Sequence, residues 1–194
     1  MDIIAIFFTG YLFHLISTGR ELKSSYVTVG NKKILVRDLP DKKNAAALMV
    51  KVIDNLTLVV DHLKKNKKSY TKKQQTIISR LKNYNPESIV ENVDDMSFTS
   101  YTLNKGEKIA LCLREEKGNG ALKNLNLIMY VAIHELAHIG AKTEGHQEDF
   151  PSTFKFLLKE AQNIGVYHYE NYAKNPQNYC EMKIDQNILD ATHL

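Results

Sequence analysis

The sequence predicts an α+β protein, mainly helical, with a small antiparallel sheet and one apolar helix that carries a histidine pair. Three observations lead there. Over residues 41–65, Leu48, Met49, Val52, Ile53, Leu56, Val59, Val60 and Leu63 recur every three or four positions, the stripe of an amphipathic helix. Two segments alternate weakly around tight turns and read as β-hairpins. A run of apolar residues then leads into His134-Glu135-Leu136-Ala137-His138, a pattern that has chemical meaning on a helix.

A chain of 194 residues can bury one real core, and two full domains would be cramped. With 43% hydrophobic and 25% charged residues, its composition excludes a disordered chain. The formal charge of +4 is local, because six lysines fall between Lys64 and Lys73 and the remaining chain has 20 basic against 22 acidic residues. A nucleic-acid partner would have to use that stretch, for which a solvated loop between helices is the plainer reading. Cys112 and Cys180 form no CxxC pair, which excludes a cysteine-rich zinc module. Two free thiols in a reducing compartment are expected, with one disulfide as the alternative.

In chain order, residues 3–17 (IIAIFFTGYLFHLIS) carry no charge. As a helix they span roughly 22 Å, short of a hydrocarbon core of about 30 Å. Residues 1–20 are therefore set apart as an apolar segment, read as a membrane anchor or a helix docked on the core. The acidic start, Met1-Asp2, argues against a cleaved signal peptide. If the segment inserts, Arg20 and Lys23 place residues 21–194, read as a single domain, on the cytoplasmic side or in a virion interior. Otherwise the cytoplasm is expected.

Gly30-Asn31 centres a hairpin with strands at 25–29 and 33–37. Pro40 and Asp41 open the long helix. A second helix, 71–84, shows Ile77, Ile78 and Leu81 on one face and stops before Asn85-Pro86. A second hairpin has strands at 98–103 and 108–114, joined by Asn104-Lys105-Gly106-Glu107. After a loop at 115–124, a helix is expected over 124–139, with Gly140 stopping it in the left-handed conformation. A helix at 152–164 ends at Gly165, and the tyrosine-rich tail reads as irregular.

On a helix, His134 and His138 project to one side, separated by about 6 Å along the axis, and two imidazoles so placed reach one ion at about 2.0–2.1 Å. Glu135 beside them is placed to take a proton from a metal-activated water. A catalytic zinc site needs a third protein ligand. His146 supplies it if Gly140 and Gly145 let the chain leave the helix and double back. Glu160, on the next helix, is the rival third ligand. Glu148 and Asp149 are the remaining options for that ligand, could instead orient a ligand histidine, or are plain surface carboxylates. The KIALCLR strand, 108–114, reads either as an edge that pairs with an extended peptide or as a core strand. Tyr167, His168, Tyr169, Tyr172 and Tyr179 are available to stabilise an oxyanion, with none singled out.

The residues His134, Glu135, Leu136, His138, His146 and Phe150 together resemble the pattern of the WLM/SprT-like zinc metallopeptidases. The wider pattern, with VRDLP, SYTLNKGEKIALCLRE and NYCEM, is similar to uncharacterised metallopeptidase-like proteins of large DNA viruses. The resemblance is specific over residues 124–161. It implies a zincin-type core with histidine ligands to Zn2+ and the glutamate as base, and characterised relatives cleave proteins crosslinked to DNA. The expected function is thus a zinc metallopeptidase acting on protein or peptide substrates. The alternative is a non-catalytic, zinc-stabilised interaction protein of a membrane or virion.

Overall fold

The computed structural model describes residues 23–93, 100–114, 120–146, 149–180 and 182–192. The expected membrane segment, 3–17, lies outside the described residues. Among the described residues, no helix is long and apolar enough to cross a membrane.

Gly30, at φ 59°, turns the chain between β1 (Ser24–Val29) and β2 (Lys32–Arg37), which pair antiparallel with Val27 opposite Ile34. The hairpin lies on α1 (Lys42–Lys65), whose predicted apolar stripe from Met49 to Leu63 is buried. Thr71 starts α2 (Lys72–Arg80) with a reciprocal cap, its side chain accepting from the Gln74 amide while the Gln74 side chain accepts from the Thr71 amide. That helix is shorter than its sequence pattern suggests, because its last turn tightens into a 3-10 turn at Leu81–Asn83.

One sheet has three strands in the order β3-β5-β4: β3 (Ile89–Glu91) is parallel to β5 (Lys108–Leu111), and β4 (Tyr101–Leu103) is antiparallel to it. The KIALCLR stretch therefore supplies the central strand, which rules out its reading as an edge, and β3 and β4 are the outer strands among the described residues. Strand β3 escaped the sequence reading because three residues are too few to show alternation. The start of the expected strand at 98–103 falls outside the described residues.

α3 (Leu125–Gly140) begins at Asn124, whose side chain accepts from the Leu127 amide at 2.8 Å. It packs against α1, α2 and α4 (Phe150–Asn163) and against β4 and β5. A helix surrounded in this way is apolar nearly all round, which explains the uninterrupted run before His134. The tail is irregular up to residue 176, as expected, but not beyond it. There it forms a hairpin, β6 (Gln177–Tyr179) and β7 (Met182–Ile184), then a strap with a 3-10 turn at Ile188–Asp190. The architecture is thus α+β, with four α-helices and small sheets among the described residues.

Two long-range ties hold the layers in register. Arg114, fully buried, donates to Glu91 at 3.0 Å and to Asp41 at 2.5 Å, while Glu91 also accepts from the Arg37 amide at 2.7 Å. Cys112 and Cys180, 68 positions apart, are joined in a disulfide with their Cα atoms 6.5 Å apart. The expectation of free thiols is therefore corrected. The tail hairpin returns Cys180 to the end of β5, a juxtaposition that no local pattern shows.

Candidate metal centre

The cleft that holds the three histidines is floored by α3. His134 and His138 stand one turn apart on it, half-buried, with ring centroids 5.1 Å apart. The helix then stops, but not as expected. Gly140 has no positive φ. It is the last helical residue, and Ala141 leaves in an extended conformation, φ −71° and ψ 148°. Gly140 is small for a packing reason, since a Cβ there would meet Ile77 Cγ2 at 3.0 Å and Thr153 Cγ2 at 3.1 Å. Gly145 does take the left-handed conformation, φ 71°, and swings the chain back so that His146 Nε2 lies 2.9 Å from His134 Nε2.

The ligand atoms of His134, His138 and His146 lie within 4.8 Å of one another. Nitrogens this close, each able to reach an ion at about 2.0–2.1 Å, are a donor set that suits a metal of zinc's kind. Glu160, the rival third ligand, is elsewhere: it accepts from the Tyr70 hydroxyl at 2.5 Å and lies 3.5 Å from His62 Nε2. Phe150 packs against all three imidazoles, with centroids 4.4–4.9 Å away, and Phe154 adds a ring against His134 at 5.1 Å.

The loop from 141 to 149 is pinned at both ends. Lys105, in the left-handed turn between β4 and β5, donates to the carbonyls of His138 (3.0 Å), Ala141 (3.2 Å) and Thr143 (2.6 Å). It thereby satisfies orphan carbonyls at the C-terminus of α3. Asp149 accepts from the Lys142 amide at 2.6 Å and the Thr143 hydroxyl at 2.8 Å. It therefore closes the loop rather than orienting an imidazole. Glu148 lies outside the described residues.

Glu135 is buried beside the histidines, and Thr102 on β4 donates its hydroxyl to Glu135 Oε2 at 2.8 Å. Burial pushes its carboxyl up to about 7, partly opposed by the Thr102 hydrogen bond. Burial lowers His134 to about 3, with the neighbouring His138 and His146 helping. It lowers His138 to about 4, with His146 and Lys105 helping. The imidazoles of His134 and His138 are thus held neutral, the form that ligates metal.

The cleft around these groups has a volume of about 370 Å³ and is walled by β4 and by the tail hairpin through Tyr179, Met182 and Ile184. Of the tail residues considered for an oxyanion, only Tyr179 lines this cleft, with its hydroxyl 2.8 Å from Ser100 Oγ. Tyr167 and Tyr172 are buried, Tyr172 with its ring against Tyr130. Tyr169 donates to Asp190 at 2.9 Å, and His168 is exposed. Sequence reasoning missed Thr102 and Lys105, which no motif marks. Phe150 was visible only through the family pattern.

A WLM domain model matches residues 27–188. An uncharacterised protein of Acanthamoeba polyphaga mimivirus is 33% identical over 180 residues, covering 92% of this chain and 91% of that protein. Uncharacterised proteins of Invertebrate iridescent viruses 6 and 3 are 34% and 35% identical over 82 and 83 residues, covering 42% and 43% of this chain and 44% and 50% of their own lengths. No solved structure matches. The matched region begins in the first hairpin and ends in the strap beyond the cleft, so it takes in all three histidines and Glu135, and the chain belongs to the WLM domain family.

Proposed function

We propose that the chain is a zinc metallopeptidase with a zincin-type core, in which His134, His138 and His146 hold the ion and Glu135 is the general base. The observation that carries this reading is a buried carboxyl group next to three converging imidazoles. A site that used metal only for stability would need the imidazoles and have no use for that carboxyl group. Bound zinc would supply Lewis acidity, acidifying a water and polarising an amide carbonyl.

The protein's own residues do the rest. Glu135 takes the proton from the attacking water and returns it to the leaving amine. Its Oε2 is held by the Thr102 hydroxyl, which leaves Oε1 for that transfer. Thr102 sits on the outer strand β4, so the strand that would pair with an extended peptide also positions the base. Protein or peptide is the substrate class this arrangement fits.

Purified protein should carry about one zinc per chain, lost in the double variant His134→Ala/His138→Ala. Glu135→Gln should keep the zinc and lower peptide hydrolysis by about 10²–10⁴-fold. Full turnover in Glu135→Gln, or stoichiometric zinc in the double variant, would refute the assignment.

A further inference from the structure

A second cleft, with a volume of about 460 Å³, meets the first at the histidines: both are lined by Tyr130, His134 and His146. Its walls are the start of α4, with Phe150, Pro151 and Phe154, and the strap from Gln186 to Ala191. The two clefts differ in the chemistry they leave exposed. The first presents Glu135 and the imidazoles. In the second, several lining polar groups are already engaged. Tyr130 donates its hydroxyl to the Gln186 carbonyl at 3.2 Å and accepts from the Ile188 amide at 3.2 Å. The Asn187 amide nitrogen donates to the Tyr167 hydroxyl at 2.7 Å and the Glu170 carbonyl at 3.0 Å. Asp190 accepts from Tyr169. What remains for a ligand is largely the apolar surface of Pro151, Phe154, Ile188, Ala173 and Ala191.

We propose that this second cleft selects a bulky apolar side chain of the substrate, at a residue flanking the bond that is cut. The proposal rests on the peptidase reading for its occupant. Because the cleft begins at His134 and His146, a side chain seated there belongs to a residue next to the reacting carbonyl. The strap that forms its far wall is anchored at both ends, by Tyr130 against Gln186 and Ile188, and by Lys155, which donates to the Ala191 carbonyl. The pocket is thus held in shape before substrate arrives, and its size lies within the range of about 300–1,000 Å³ typical of small-ligand sites.

The test uses zinc-loaded protein and a series of blocked peptides that vary one residue on either side of the bond as Gly, Ala, Leu, Phe, Lys or Glu. Leu or Phe at one flanking position should raise kcat/KM over Gly by more than about 10-fold, the scale that apolar side-chain differences reach in a hydrophobic pocket. Ala191→Phe, which narrows the cleft, should shift the preference towards Ala, and Ile188→Asp should abolish it. A binding arm does not depend on turnover. In zinc-loaded Glu135→Gln, the Leu or Phe peptides should shift the Ile188 methyl resonance, and the Gly peptide should not. Cleavage whose preference neither variant alters, or an Ile188 methyl blind to every peptide, would overturn the pocket. Binding at Ile188 without cleavage by the unsubstituted protein would leave the pocket standing and refute the peptidase reading.

Discussion

At His134 the folded chain holds an imidazole neutral down to about pH 3, and at His138 down to about pH 4, against about 6.5 for the free side chain. Both folded values are depressed, so at pH above the unfolded value neither state is protonated and there is no penalty. As pH falls below about 6.5, the unfolded chain binds protons that the folded, metal-free chain refuses, and stability is lost progressively until about pH 3–4. Zinc-stripped protein should therefore show a melting temperature that drops steeply between pH 7 and 4. The double variant His134→Ala/His138→Ala should show a shallower drop. Equal slopes in the two proteins would contradict the burial of these rings. The same protonation competes with the metal, so zinc should leave within this window.

At the scale of elements, the site depends on how α3 ends. Lys105 reaches from the β4–β5 turn to three carbonyls around the helix C-terminus and fixes the start of the loop that delivers His146. Lys105→Met keeps the bulk of the side chain and removes the donors. It should weaken zinc binding by about 10–100-fold, the usual cost of losing a group that supports metal ligands, as read by competition with a chelating dye. Unaltered affinity would mean that the loop holds itself. Gly140 tests the packing side of the same junction. Alanine there gains about 1 kcal/mol in helix propensity. Its Cβ would, however, press on Ile77 and Thr153 at 3.0 and 3.1 Å. Overpacking of this kind costs about 1–3 kcal/mol. Gly140→Ala should therefore lose on the order of 1 kcal/mol net in denaturant unfolding. A gain would show that Gly140 is spared for another reason.

Across the whole molecule, the Cys112–Cys180 bridge closes a span of 68 positions and ties the tail hairpin, one wall of the cleft, to the end of β5. In the chain-entropy model, closing a loop of that length is worth about 4 kcal/mol, acting mainly on the unfolded chain. Native protein should show no titratable thiol, and Cys180→Ala should lower unfolding stability by up to about that amount. Two reactive thiols in the native state, or an unchanged denaturation midpoint, would refute the bridge.

Periodicity made α1 legible almost residue for residue, because its stripe is long and faces a single core. His134, Glu135 and His138 were equally legible, since helix geometry alone puts two imidazoles on one side. His146 was legible as a candidate through Gly145, whose left-handed turn is a local property. The tertiary structure decided what depends on distant partners. It placed Glu160 with Tyr70 and His62, far in role from the histidines, and made β5 the central strand with β4 at an edge. It reassigned Gly140 from a turn to a close contact, and it brought Thr102 and Lys105 to α3 from 33 positions before Glu135 and His138. The physical reason is common to all of these. A helix face and a left-handed glycine are set by interactions within a few residues, whereas strand order, a bridged cysteine pair and a supporting hydrogen bond exist only once packing has closed long loops.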